Sequence, residues 1–486
     1  MIPNWVKMLR ARLDSWSARR RQARERARLE RRFAEHWEDR PMDAEENAAT
    51  QPPSEESINI WCLWVVEFYG PSQIQNLIEG LERLGLSSPK YEDRQSVIDF
   101  LQRSRQRGYT GSWIRLGVIH RPDYKGWTEG VRIELPRGVD RAIGTMLQIL
   151  PSVTAVVMQF LFDDETVGCL HEILQETHAT TTRPLPSGGY QIITPTFQKR
   201  DELAAARTSL RRRCEFWFES QLPGVFSASS LQTRFPACEF VTVKKAIPFI
   251  DPGLGERRRY MELLGLERTW DAWKCEQIPA LKLGSRAFEW PGGGEYLTLA
   301  ANETELGAWA TGQSRPITPS AMAGTLDEFV QWLAAWSLLG LLRHHSKSVL
   351  TLRDNALRDA TARWFSKALR QTEHELLRLR PDVVSFVEDM TSEQQTGEIL
   401  RDAEFKFEAI DTRRASSREL LQLVLDRVQV EAKGLNQGIR TATDDFMTSV
   451  NLRHQSALTS YTLAILLLTI VLILVELFGS GRAAGK

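Results

Sequence analysis

Apolar and polar positions change rhythm several times along the chain, and each rhythm predicts a different element. Ile58 to Gly70 ("INIWCLWVVEFYG") is dense in aromatic and β-branched residues and ends at Gly70-Pro71, which predicts a buried strand. From Pro71 the spacing becomes helical, with Ile74, Leu77, Ile78, Leu81 and Leu84 on one face and proline at the start. "YEDRQSVIDFLQRSRQRG" repeats that spacing, and "SWIRLGVIH" and "GVRIELP" predict strands. "RGVDRAIGTMLQIL" predicts a helix stopping at Pro151, and "PSVTAVVMQFLFDDE" a further strand. Strand, helices, strand, strand, helix, strand is the split β-α-β order of a ferredoxin-like lobe, expected over residues 58–163.

A second α+β lobe is expected over 164–322. "VGCLHEILQE" and "KRDELAAARTSLRRRCEFWFESQL" have helical spacing, while "CEFVTVKKAIPF", "DAWKCEQIPALKLG" and "GGEYLTLAA" predict strands. "PSGGYQ" and "EWPGGGEY" carry turn chemistry. From 323 to 390 the chain turns helical. Its apolar run from Phe329 to Leu342, broken by Gln331 and Ser337, predicts a core helix; insertion into a membrane is the alternative.

Residues 391–456 predict a stalk helix. Leu421, Val424, Val428, Ala432, Leu435, Ile439, Ala442, Phe446 and Val450 step by three or four, a near-heptad seam. The seam would close against a second copy or against residues 323–390 of the same chain, with the second preferred. Gly434 and Gly438 each weaken such a helix by about 1 kcal/mol relative to alanine, and would mark a kink or a close helix approach.

From Ala457 to Phe478 only Thr459, Ser460, Tyr461, Thr462, Thr469 and Glu476 carry polar groups. About 20 mostly apolar residues in a helix match a hydrocarbon core of roughly 30 Å. Residues 457–478 are therefore expected to be one C-terminal transmembrane helix, with Ala457, Leu463, Leu467, Val471, Leu474 and Phe478 among its anchoring positions. Glu476 falls at the interface, where a charge costs far less than at mid-bilayer. The tail, 479–486, is short.

At the other end, residues 1–40 are rich in arginine, and Trp5, Leu9, Leu13 and Trp16 recur at helical spacing. A basic amphipathic arm with tryptophans on its apolar side fits an anionic lipid surface or a solvated face. Residues 41–57 ("PMDAEENAATQPPSEES" from Pro41) are acidic and aperiodic, and are expected to be a flexible linker.

Composition refines this picture. The chain has 486 residues, 42% hydrophobic and 26% charged, with zero formal net charge, so it is not a polyanion binder as a whole. No aromatic-rich nucleic-acid module follows the arm, and nucleic acid is not an expected partner. Cys62, Cys169, Cys214, Cys238 and Cys275 are odd in number and without a C-x-x-C pair, which argues for reduced thiols rather than a disulfide framework or structural zinc. The N-terminus lacks a secretory signal, so the bulk is expected in the cytoplasm and the span is expected to be a tail anchor. The preference for arginine over lysine points to a bacterial source, hence an inner membrane.

Chemistry is mostly absent. There is no phosphate loop, no G-x-S-x-G elbow and no H-E-x-x-H. His171-Glu172 and His374-Glu375 lack a second histidine at the required spacing. His344 and His345, adjacent on a predicted helix, point about 100° apart and make a poor metal pair. Asp163, Asp164 and Glu165 cluster at a strand end, where a solvated turn is preferred over a divalent site. Arg211, Arg212 and Arg213 beside Cys214 would lower a thiol pKa or bind phosphate, with an exposed basic helix face preferred. No catalytic, cofactor or metal residue is assigned.

A cytosolic α/β lobe, a long helical stalk and a C-terminal membrane segment resemble, in architecture, the two-span magnesium channel family. The second span and the Gly-Met-Asn loop of that family are not found, so its transport function is not carried over. The expected function is a non-enzymatic, membrane-tethered cytoplasmic protein that senses or binds a partner, with self-association through the stalk as one route. The alternatives are an oligomeric membrane effector or channel subunit, in which Glu476 lines a pore mouth, and a membrane-bound enzyme using Asp163, Asp164 and Arg211 to Arg213.

Overall fold

The structure, a computed structural model, describes residues 41–86, 96–107, 111–126, 129–184, 190–228, 234–250, 259–267, 272–285, 296–312, 323, 326–361, 367–403, 405–410 and 419–480. Residues 1–40, with Trp5, Leu9, Leu13 and Trp16, lie outside them. In chain order the elements are α1 (Pro41–Thr50), β1 (Ile58–Tyr69), α2 (Ile74–Arg83), α3 (Val97–Arg107), β2 (Ser112–His120), β3 (Val131–Arg132), β4 (Val139–Gln148) and β5 (Thr154–Phe162). Then come α4 (Asp164–Val167), α5 (Cys169–Gln175), β6 (Thr181–Pro184), β7 (Tyr190–Ile193), α6 (Pro195–Gln221), β8 (Ala237–Val243), α7 (Arg259–Leu263), β9 (Ala272–Cys275), β10 (Leu281–Ser285) and β11 (Tyr296–Asn302). The chain finishes with α8 (Glu303–Gly312), α9 (Asp327–Thr361), α10 (Lys367–Thr391), α11 (Glu393–Asp402), β12 (Phe407–Ala409) and α12 (Leu420–Ser480).

The fold is mixed α+β around one ten-stranded sheet, ordered β12-β9-β10-β11-β8-β1-β5-β4-β2-β3. The β11–β8 and β2–β3 pairs are parallel and the remaining pairs are antiparallel. The sheet runs without a break across the boundary expected at 163/164, because β8 pairs directly with β1. A separate hairpin joins β6 to β7.

β1 lies at the centre and both its faces are covered. On one face Trp64 packs edge-on to Phe329 of α9, ring centroids 5.2 Å apart. On the other, Phe160 of β5 meets Trp217 of α6 at 5.6 Å. On that second face Arg207 of α6 also pairs with Glu239 of β8 at 3.2 Å, with side chains 4% and 0% exposed. Tyr296 and Thr298 hydroxyls donate to the same carboxylate at 2.7 and 2.8 Å, so the buried charge is well solvated by the protein.

Three expectations are overturned. The stretch 137–150, expected to be a helix, is strand β4, so no crossover helix separates β3 from β5 and the ferredoxin-like order is not formed. Ile143, Met146, Leu147 and Leu150 step like a helical face, but a strand covered on both faces buries consecutive residues and loses its alternation. The stretch 41–57, expected to be a flexible linker, begins with α1, which docks on α6 and α7. Side-chain hydrogen bonds hold it rather than an apolar face. Asn47 grips His178, Asp43 accepts from Thr180, and Glu46 accepts from Thr196. The same stretch ends at buried Glu56, whose carboxylate accepts the backbone N–H groups of Lys244, Lys245 and Ala246 at 2.7–2.9 Å. Finally, 391–456 is not one stalk helix: α11 and β12 precede α12, and β12 adds an edge strand to the sheet beside β9.

Candidate functional site

α9, α10 and α12 form a helical layer beneath the sheet. The apolar run from Phe329 to Leu342 is buried in α9, with Phe329, Trp332, Leu333, Leu338 and Leu342 fully enclosed. α12 packs most extensively along α9 and next along α10. Its seam residues Leu421, Val424, Val428, Leu435, Ile439 and Phe446 are buried, none more than 8% exposed, and Val450 is half-buried at the lower end. The seam is thus occupied by helices of the same chain. Gly434 and Gly438 mark no tight approach: a Cβ at Gly434 would meet nothing within 4 Å, and one at Gly438 would meet Val349 Cγ1 at 3.5 Å.

Beyond the seam the character of α12 inverts. Every residue from Leu458 to Ile470 is exposed, including Leu458, Leu463, Ile465, Leu466, Leu467 and Leu468 at 54–67%. These side chains point to all sides of the helix, so no single packed face covers them. Among the described residues no helix is long and apolar enough to cross a membrane. The described side chains of α12 end at Ile470, while its backbone continues to Ser480. The side chains of Ala457, Val471, Leu474, Glu476 and Phe478 lie outside the described ones.

A polar cavity of about 160 Å³ opens where α9 and α10 meet the loop after β1. His344, His345 and Ser348 of α9 line it, with His374, Glu375, Arg378 and Asp382 of α10 and Gln73 of the loop. Sequence spacing gives these histidines no common site; the fold gathers three of them. His344 sits edge-on to Phe226 at 5.3 Å and His345 packs against Phe386 at 5.5 Å. Burial, aided by Lys347 and Arg378, holds His344 down to about 4, and burial beside His344 holds His345 down to about 3. Both rings are neutral at pH 7. His345 Nδ1 has no hydrogen-bond partner among the described residues. Such imidazoles serve as hydrogen-bonding groups for a small polar ligand and as poor general bases at neutral pH. Their planes are 69° apart with centroids separated by 5.9 Å, and no metal-binding group of three forms here among the described residues.

Of the remaining sequence candidates, Asp163, Arg211, Arg213 and Cys214 have structural roles; the exposed basic face expected for Arg211 to Arg213 is not formed, since Arg211 is buried and only Arg212 is exposed. Asp163 caps α4, accepting from Thr166 N–H at 3.0 Å, and pairs with Arg121 at 2.7 Å. Burial raises its carboxyl, but the bonds from Thr166 and Arg121 outweigh this and hold it below its ordinary value. Arg211 is buried; it pairs with Glu215 at 2.6 Å, donates to Phe235 O and lies over the Tyr296 ring. Arg213 donates to Arg137 O at 2.7 Å. Cys214 is buried and its thiol is pushed up, so no activated thiolate forms beside the arginines. Compared with known proteins, the chain matches no family model and no curated sequence.

Proposed function

We propose that the protein is a membrane-tethered cytoplasmic protein that binds a partner or small ligand through its α/β body. In this reading the lower end of α12 enters the bilayer, as a single pass at a bacterial inner membrane. One observation carries it: a helix whose upper part buries one face in the protein continues, without a break, into the mostly apolar segment Leu458–Ile470, which no described residue covers. An exposed apolar rod of this size is a liability in water and is at home in lipid. The sequence extends the apolar stretch to Phe478, giving 457–478 the length of a hydrocarbon core. The cavity beside His344 and His345 is the candidate ligand site, and intrachain closure of the seam supports a tethered body over an oligomer zipped through the stalk.

The test is membrane partition. Full-length protein is expected in the membrane pellet after an alkaline carbonate wash. The double variant Leu466→Lys, Leu467→Lys is expected in the supernatant, since each central charge opposes insertion by about 3 kcal/mol on insertion scales. Parent protein recovered in the supernatant would refute the tether. Crosslinking in the membrane to a defined ring of copies would favour the oligomeric alternative.

A further inference from the structure

Where α5 leads into β6, away from the polar cavity, a second cluster lies against α6. Glu176, His178 and Glu202 bring one side-chain donor atom each within 4.8 Å of one another. His178 Nε2 is 3.1 Å from Glu202 Oε2 and 4.0 Å from Glu176 Oε2. His178 Nε2 and Glu202 Oε2 are both enclosed, and neither makes a hydrogen bond. The two atoms approach at ion-pair distance without hydrogen-bond geometry, an arrangement in which a shared cation would engage both.

We propose that Glu176, His178 and Glu202 form a site for one divalent transition-metal ion of the zinc type, with a further position open to solvent. Bonds of 2.0–2.2 Å in a tetrahedron put neighbouring donor atoms about 3.3 Å apart, close to the observed 3.1 Å. Glu176, 60% exposed, closes the remaining distance by a side-chain rotation on the solvent side. One imidazole and two carboxylates form a donor set of intermediate softness, suited to zinc rather than to calcium or magnesium.

The backbone around the site is held in advance. Asn47 of α1 donates to His178 O at 2.7 Å and accepts from His178 N–H at 3.0 Å. Gln51 donates to Gln175 O at 2.9 Å, and Gln198 donates to Ala179 O at 2.6 Å. Asp43 accepts from Thr180 N–H at 2.8 Å. Glu202 comes from α6, one turn beyond Lys199. The Lys199 ammonium, tied to Leu174 O at 2.8 Å, lies within electrostatic reach of both Glu176 and Glu202. The Asn47 bonds fix the main chain that carries His178 in front of Glu202.

The experiment uses the full chain in detergent, stripped with a chelator and titrated with zinc chloride against a colorimetric competitor. One zinc ion per chain is expected at micromolar affinity or tighter, with thermal unfolding moved upward by the ion. Glu176→Gln and His178→Gln are each expected to weaken binding by roughly tenfold or more, and His171→Gln on α5 to leave it unchanged. Cobalt substitution should give a visible absorption band that the His178→Gln variant lacks. Glu176 is exposed, so its variant keeps the fold even if the histidine variant does not. A parent chain that takes up no zinc, or a Glu176→Gln variant binding like the parent, overturns the proposal and leaves a His178–Glu202 ion pair.

Discussion

Asp382 of α10 reaches back across most of the chain to Ser72, accepting its backbone N–H at 2.9 Å and its hydroxyl as well. It also accepts from the Gln73 amide at 3.0 Å. Asp389, two helical turns on, holds Ser152 in the same way, with the N–H at 2.8 Å. Ser72 follows β1 and Ser152 precedes β5, and those strands are paired with Tyr69 opposite Thr154. One face of α10 therefore fastens the ends of two adjacent central strands.

The fastening should be measurable. Asp382→Ala leaves the Ser72 N–H and the Gln73 amide without their acceptor in a buried setting, and is expected to cost about 1–3 kcal/mol. Urea unfolding of the full chain should show a lower midpoint with unchanged slope. Amide exchange at residues 70–73 should quicken. An unaltered midpoint would mean that the carboxylate is dispensable to the joint.

The two buried histidines carry a pH signature. Each has a folded pKa, about 4 for His344 and about 3 for His345, below the unfolded value of 6.5. Their contribution is complete above pH 6.5 and is lost as pH falls towards 4 and then 3. Glu67 acts oppositely. Burial lifts it to about 7, against hydrogen bonds from Phe226, Phe68 and Ser227, so its contribution is complete below pH 4.5 and is lost as pH rises to 7. Between 4.5 and 6.5 the effects overlap with opposite sign, and a difference measurement separates them. His345→Phe keeps a ring against Phe386 and removes one titration. Its stability should rise less steeply with pH than the parent's, by about one proton, or about 1.4 kcal/mol per pH unit. Parallel slopes would exclude a neutral buried His345.

Gly434 and Gly438 offer a test of what surrounds α12. Neither has a neighbour that a methyl group would strike. Gly434→Ala and Gly438→Ala should each stabilise the helix by up to about 1 kcal/mol, read as a higher unfolding temperature. Destabilisation at Gly434 would reveal a second copy or a partner packed on that face.

The periodic elements were legible in the sequence where burial is one-sided. The α12 seam and the first turns of α2 show this, because a helix with one wet face writes its spacing into the residues. Residues 137–150 do not show it because β4 is buried on both faces from Gly144 to Gln148. Residues 41–50 lack it for the reverse reason: α1 is held by Asp43, Glu46 and Asn47 reaching neighbouring backbone and hydroxyl groups, a mode of attachment without hydropathy. The polar cavity was visible only in fragments. His344-His345 and His374-Glu375 stand about 30 positions apart, and only the antiparallel return of α10 along α9 brings them together. The Glu176-x-His178 pair carried no recognisable spacing, since its third member sits on another element.

The continuity of α12 has a mechanical consequence. A helix is a screw: each 1.5 Å of travel along its axis is matched by 100° of turn if the groove is to follow the thread. The seam from Leu421 to Phe446 engages α9 and α10 along one face only, so α12 cannot advance or retract by one residue without turning that face away. Depth and rotation are locked together. A push or twist on the exposed apolar end is therefore met by the whole seam at once, and is borne until the seam lets go as a unit.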